Sequence, residues 1–440
     1  MNYVSHSEAE RQAMLQRVGA ASIENLFETV PAQVRFPKLD LPKPLSELEV
    51  TRLMSKMAAS NDDLNEYACF LGAGAYNHYV PSVVGHLAGR SEFYTAYTPY
   101  QPEVSQGTLQ TVYEFQSMMC ELYGMEVANA SMYDGASALA EAAIMAVNVT
   151  SRSKVVVLHS VHPDSRALVR TYTEPQGIEV VVAATIEDAL AALDNQTAAL
   201  LVQQPDFFGT ILDVQKLGDA AHAKNALLVV SSYPIALGLL KSPGECGADI
   251  AVGEGQPLGM HLSFGGPYVG IFTCRNEFIR NLPGRIVGQT LDKEGKRGYV
   301  LTLRTREQDI RRERATSNIC TNEGLIALIA TIYLSAMGKQ GLRQVSQQCY
   351  DKAHYAAAAI AKVPGYELLD NGAFYNEFVI RCAGNRTVAR VGAACLEAKI
   401  IGGLPLAEYY PEMADCLLFC CTEMNTREEI DTLVEVLANA

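Results

Sequence analysis

Between about residues 71 and 320 the chain alternates short apolar runs with stretches of helical periodicity. The runs fall at Lys154–His159, Ile178–Ala184, Ala198–Gln203, Ala226–Ser231, Asp249–Gly253 and Tyr268–Phe272. Helical patterns separate most of them, as at Ile186–Leu193 and Val214–Lys224. Alternation of this kind predicts an α/β domain with a mostly parallel sheet covered by helices on both faces.

The flanks follow other patterns. Residues 1–70 read as a helical N-terminal arm. Ser7-Glu8-Ala9-Glu10 has capping-box spacing, and the proline-rich stretch Phe36–Pro44 reads as an extended connector. Residues 71–325 form the large domain. Residues 326–440 predict a small C-terminal α/β domain. A long helical stretch starts at Gly324 and continues to Val363. A βαβ-like tail follows, with a strand at Glu377–Cys382, a helix at Thr387–Ala398 and a strand at Cys416–Thr422. Thr426-Arg427-Glu428-Glu429 caps a final helix running to Ala440.

Composition narrows the function classes. With 440 residues, 49% hydrophobic and 19% charged, the chain suits two domains, a large core and an extensive interface. A net charge of −14 without a long basic run argues against nucleic-acid or anionic-membrane binding. No run of 18 or more apolar residues occurs, and the polar, acidic start does not read as a signal peptide. Eleven scattered cysteines without a CxxC read as reduced core thiols in a cytoplasmic protein. The histidines show no metal spacing.

Three segments could carry chemistry. Tyr94–Gly107 concentrates Tyr97, Tyr100, Gln101, Glu103 and Gln106 around two prolines, a makeup suited to a pocket for a small polar substrate or to a bonded turn. Ser131–Leu139 is a small-residue turn entering an alanine-rich helix; its amides and Ser137 form either an anion seat or a plain helix cap. Arg304–Thr321 holds five arginines and then Thr316, Ser317, Asn318 and Thr321. Arginines bind carboxylates and phosphates through forked hydrogen bonds, although a solvated charge run has the same composition. His159 and His162 flank a strand end, where a ring could stack on a cofactor or simply serve the core.

Two absences bear on these segments. Asp249–Thr290 resembles the strand–turn–strand that carries the cofactor-holding lysine of pyridoxal-phosphate (PLP) enzymes with an aspartate-aminotransferase-type fold. No lysine occurs in it. Such enzymes also place an aspartate near the end of the strand that corresponds to Ala226–Pro234, where this chain has Ser231 and Ser232.

The chain resembles the N-terminal half, or alpha subunit (subunit 1), of the glycine-cleavage P-protein family over nearly its whole length. The resemblance rests on Phe70–Gly74, Tyr97–Gly107, Phe264–Pro267, Pro283–Gly288, Thr305–Arg312 and Ala315–Thr321, in that order. It implies a PLP-dependent transferase-like fold whose cofactor is held by the lysine of a separate beta subunit. Pro257 falls within a residue or two of the lysine position. It further implies an α2β2 assembly with the active site at the α/β interface. Glycine loses CO2 there, and the aminomethyl group passes to the lipoyl arm of H-protein. By position, Tyr97, Tyr100, Gln101, Glu103 and Gln106 would line the substrate side. Thr316, Ser317, Asn318 and Thr321 would reach toward the partner's cofactor phosphate. Arg285, Arg304 and Arg306 are expected at the interface or against H-protein. When the partner is absent, a paralogue of this kind could form a homodimer through the same surface. Two other readings stand beside this one: an inert scaffold or regulator that only stabilises its partner, and a self-sufficient PLP lyase. The lyase would have to use Lys241 or Lys293, the lysines that flank the lysine-free stretch.

Overall fold

The structure is a computed structural model that describes residues 5–315, 317–319, 321–369 and 372–440. It divides into two compact units, residues 1–62 and 63–440, so the first unit ends eight residues before the boundary expected at 70.

The first unit is a helical arm. Helix α1 (Glu8–Val18) starts at a capping box in which Ser7 Oγ accepts from the Glu10 amide and the Glu10 carboxylate accepts from the Ser7 amide at 2.7 Å. Gly19 ends it in the left-handed region, φ 75°. Helix α2 (Glu47–Ala58) repeats the capping box with Ser46 and Glu49. Between and within these helices Val18, Leu39, Leu41, Leu48 and Met54 are exposed.

The second unit is built on a seven-stranded sheet. Its strands are β1 (Val127–Ala128), β2 (Lys154–Leu158), β3 (Glu179–Ala183), β4 (Thr197–Gln204), β5 (Leu227–Ser232), β6 (Ile250–Glu254) and β7 (Gly270–Cys274). Their order is β1-β7-β6-β5-β4-β2-β3. Pairings from β3 through β6 are parallel; β7 runs antiparallel to β6 and β1 antiparallel to β7. Central strands such as β4 are buried almost throughout, because helices cover both faces and leave no side of the strand for water. Each fully buried valine or leucine there contributes roughly 1.5–3 kcal/mol. Helix α3 (Gln106–Tyr123) and helix α4 (Gly135–Thr150) pack on this sheet. The alanines of α4 let its backbone approach the strands closely.

A hairpin of β8 (Ile286–Leu291) and β9 (Arg297–Thr302) follows the sheet. Helix α5 (Gly324–Ile360) then runs 37 residues and breaks at Gly338, whose φ 60° and ψ 179° no L-residue helix tolerates. By length and composition α5 is apolar enough to cross a membrane, but Ile326, Ala327, Tyr333 and Cys349 are buried in the protein core.

The C-terminal region holds β10 (Tyr366–Leu368), β11 (Glu377–Cys382), β12 (Leu404–Pro405) and β13 (Cys416–Cys420), in the order β10-β11-β13-β12. The strands expected at 377–382 and 416–422 pair with each other antiparallel. The crossover helix Val388–Glu397 instead leads to the two-residue β12, and β13 inserts between β11 and β12, giving a split βαβ arrangement. Segment 68–79 is stitched to this region. Ala68–Cys69 pairs in parallel with Ile400–Ile401, Phe70 exchanges backbone bonds with Ile401 and Cys420, and Tyr79 N–H donates to Glu423 Oε1 at 2.7 Å.

Candidate active site

The C-terminal ends of β4, β5 and β6 open into a cleft of about 300 Å³, the position where open α/β sheets bind their ligands. Ala73–Tyr76, Asp134–Ala136, His162, Ser232, Glu254, Pro257 and Tyr268 are among its walls. His162 Nε2 lies 2.9 Å from the Ala73 carbonyl, and His162 Nδ1 accepts from the Asp164 amide at 3.2 Å. Burial holds this imidazole below its ordinary pKa, so it is a neutral ring fixed by the backbone. Its face is not free for stacking throughout, since Phe207 meets it edge-on at 5.0 Å.

In this cleft Pro257 lines the wall where a cofactor-holding lysine would be sought. The neighbouring Gln256 is fully buried. Its Oε1 accepts from the Tyr76 amide at 3.0 Å, and its Nε2 donates to the Tyr76 carbonyl at 3.0 Å and the Met260 carbonyl at 2.8 Å. Tyr76 in turn packs on Tyr233 at 4.3 Å and donates its hydroxyl proton to Glu377 Oε2 at 2.8 Å. At the strand end Ser232 is buried, and its hydroxyl has no hydrogen-bond partner among the described residues. A hydroxyl cannot supply the negative charge that keeps a pyridine nitrogen protonated.

The start of α4 is also committed. Asp134 Oδ1 accepts from the Ser137 amide at 2.7 Å, and Glu254 Oε2 accepts from the Gly135 amide at 2.9 Å. Glu254 Oε1 accepts from the amides of Gln256 and Val269, at 2.9 and 3.3 Å. Burial pushes the Glu254 carboxyl up to about 7 despite these three donors. Without the lysine, without an acid at the strand end, and with a carboxylate at the helix start, the cleft does not fit PLP.

The tyrosine-rich segment lies elsewhere, on the surface. Tyr97 is 85% exposed and Tyr100 45%, and Gln101 and Glu103 are also exposed. Tyr97 and Thr321 line one pocket of about 260 Å³, together with Thr98, Pro99, Asn322 and Leu325. Ser317 and Asn318 line a different cavity with Glu141 and Tyr172, so they and Thr321 face separate spaces. Thr316 lies outside the described residues. Gln106 spends its amide on backbone: Nε2 donates to the carbonyls of Pro102 and Tyr299, at 2.8 and 2.9 Å, and Oε1 accepts from the Tyr299 amide at 2.9 Å. It ties the segment to β9.

The arginines differ among themselves. Arg306 is buried and donates to the carbonyls of Leu282, Leu303 and Gly284, a purely structural set. Arg304 is ion-paired with Asp309 at 2.7 Å. Arg285, only 5% exposed, sits under Tyr100, with its guanidinium carbon 5.2 Å from the ring centroid and Nη2 donating to the hydroxyl. Arg285 Nε stands 3.8 Å from Glu307 Oε2, and burial raises the Glu307 carboxyl above its ordinary pKa. Nε of Arg285, Nε of Arg304 and Oε1 of Glu307 are buried without hydrogen-bond partners among the described residues. The roles of Glu254, Gln256, Glu307 and Glu377 were not legible in the sequence, even where the residue lies in a segment already singled out, as Glu307 does in Thr305–Arg312, because each makes a decisive contact with a residue remote in sequence.

The fold is that of the PLP-dependent enzymes of the aspartate-aminotransferase type. A sphingosine-1-phosphate lyase from Burkholderia pseudomallei shares it at a TM-score of 0.66 and 16% identity, covering 93% of this chain and 94% of that one. The family profile of the glycine cleavage system P-protein matches residues 1–437, and the chain belongs to that family. It is 54% identical to a probable glycine dehydrogenase (decarboxylating) subunit 1 of Thermomicrobium roseum, with 100% of each chain covered. The crystal structure of a glycine decarboxylase (P-protein) of the glycine cleavage system, in inhibitor-bound form, matches at a TM-score of 0.92 and 43% identity, again over 100% of both chains. The designation subunit 1 implies a partner subunit in the enzymes so named.

Proposed function

We propose that this chain is the alpha subunit of a two-subunit glycine decarboxylase of the glycine cleavage system, and that it completes an active site whose cofactor belongs to the beta subunit. The carrying observation is the contrast between its two candidate places. Its own cleft has no lysine in its wall, while an aromatic and polar strip from Tyr97 to Glu103 faces solvent. PLP, held covalently by the beta subunit, would supply the electron sink for loss of CO2 from glycine, with the lipoyl group of H-protein taking the aminomethyl group.

The role of this chain is then to wall the partner's site. Tyr97, Tyr100, Gln101 and Glu103 form a rigid polar wall that positions a small zwitterion and excludes water. Gln106 holds that wall against β9. The Nε of Arg304 and Oε1 of Glu307, buried without hydrogen-bond partners among the described residues, belong to the arginine cluster beneath Tyr100 that supports this wall. The segment holding Thr316, Ser317, Asn318 and Thr321 remains the proposed reach toward the partner's cofactor phosphate, and because Ser317 and Asn318 face one space and Thr321 another in the free chain, it would rearrange on assembly for all of them to serve. The assembly is α2β2, in the cytoplasm, where the cysteines found free here stay reduced.

Mixing purified alpha and beta chains with lipoylated H-protein, glycine and labelled bicarbonate tests the reading. Exchange of label into glycine should need both chains. Borohydride reduction followed by mass spectrometry should mark a lysine of the beta chain and none of this one. Exchange by this chain alone, or a pyridoxyl adduct on Lys241 or Lys293, would favour the self-sufficient lyase.

A further inference from the structure

A helix N-terminus facing a cleft is a ready anion seat, and in a PLP-type fold that anion is the cofactor phosphate. Helix α4 has such a start, yet two of its first three amides already donate to the chain's own carboxylates. Gly135 N–H donates to Glu254 and Ser137 N–H to Asp134. Glu254 is not a side chain that can swing aside at little cost. It is the last residue of β6, and both its carboxylate oxygens are held, by three amides from Gly135, Gln256 and Val269. Its backbone lies directly against the helix start: a Cβ on Gly135 would come within 2.8 Å of Glu254 N.

The surroundings point the same way. Asp134, Asp164 and Glu254 line the cleft and no lysine or arginine does. A phosphate entering here would compete with Glu254 for the amides and meet the carboxylates of Asp134 and Asp164, with no lysine or arginine in the wall to offset them.

We propose that Glu254 is a built-in replacement for the cofactor phosphate: it occupies the α4 anion seat, so this chain's own cleft excludes phosphate-bearing ligands and folds complete without one. The proposal concerns the chain's own cleft and does not depend on which residues serve the partner. Its consequence is that free PLP partitions to the other subunit even when this chain is in excess.

The test uses the full-length chain alone at constant ionic strength. Thermal unfolding is followed with chloride or with inorganic phosphate, and PLP and pyridoxal affinities are measured by equilibrium dialysis. Wild type should show no phosphate-dependent rise in Tm. Glu254→Ala should melt lower in chloride, regain stability in phosphate, and bind PLP at least about tenfold more tightly than wild type. Pyridoxal, which lacks the phosphate, should show no such gain. Should Glu254→Ala not fold, Glu254→Gln keeps the side chain's length but only one acceptor oxygen, so its NH2 must face either the Gly135 amide or those of Gln256 and Val269; its hold on the seat weakens, and its PLP affinity should still exceed that of wild type. Phosphate stabilisation of wild type, or equal PLP affinity of wild type and whichever variant folds, overturns the proposal.

Discussion

The Tyr100 hydroxyl accepts a hydrogen bond from Arg285 Nη2 at 2.9 Å, and the same guanidinium lies under the Tyr100 ring. An exposed tyrosine is thereby fixed by a buried cation. Tyr100→Phe keeps the ring and deletes the acceptor, leaving an Arg285 N–H without a partner at a cost of about 1–3 kcal/mol. The expected outcome is a lower Tm of the isolated chain, and a loss of glycine–bicarbonate exchange in the complex through misplacement of the strip. An unchanged Tm would mean that water replaces the hydroxyl fully.

Tyr97 behaves differently because it is 85% exposed. Tyr97→Ala should leave the stability of the free chain within about 0.5 kcal/mol. Within the complex it should reduce exchange about tenfold or more, while size-exclusion chromatography still shows the assembled species. If assembly is lost and the turnover of residual complex stays normal, the strip is interface packing, and the scaffold reading gains what the active-site reading loses.

Much of the fold was legible because its signals are local. The strand expected at Lys154–His159 forms at Lys154–Leu158, and that at Glu377–Cys382 forms at the same residues, since continuous apolar runs bounded by polar turns admit few alternatives. Strand β12 was not legible: two residues, one a proline, carry no pattern, and their pairing with β13 comes from tertiary packing. The site divides in the same way. The small-residue turn before α4 was readable as a possible anion seat from residues 131–139. What fills that seat is Glu254, 119 positions further along the chain. Gln106 shows the converse, because its place among tyrosines suggested a pocket wall, whereas Tyr299 from the later hairpin claims its amide.

Gly135 allows the close approach of α4 to β6. A methyl group there would lie 2.8 Å from Glu254 N and 2.9 Å from its Cβ, both backbone or near-backbone atoms that cannot yield without moving the strand. Gly135→Ala is expected to destabilise the chain by about 1–3 kcal/mol despite the higher helix propensity of alanine. Gly177→Ala is a useful contrast, because a Cβ there meets nothing within 4 Å and the cost comes only from its φ of +72°. Urea denaturation of both variants should rank Gly135→Ala as the more damaging; the reverse order would show that the strand shifts freely.

Three buried carboxyls contribute to the pH dependence of stability. Burial raises Glu377 and Glu254 each to about 7 from 4.5, and Asp206 to about 6 from 3.8. With each folded pKa above the unfolded one, the native state binds more protons than the unfolded chain through the intervening window. The stabilisation is therefore complete below about pH 4 and is lost as pH rises through 6 to 7. Against the usual carboxylate behaviour, the contribution of these three groups favours the folded chain near pH 5.5 over pH 8, opposed in part by the buried His162, whose pKa burial lowers. Glu377 offers the cleanest probe. It accepts from the Ala73 amide at 2.6 Å and from the Tyr76 hydroxyl at 2.8 Å, and an uncharged glutamine can serve both partners because the tyrosine hydroxyl can reverse its role. Glu377→Gln removes one titration and should recover stability on the order of 2–3 kcal/mol at pH 8 relative to wild type, with little difference at pH 5. Unfolding free energies from urea titrations at pH 5, 6, 7 and 8 measure this directly. A variant that parallels wild type at every pH would mean that Glu377 is ionised in the folded chain throughout, with segment 73–76 held by a charge that burial fails to neutralise.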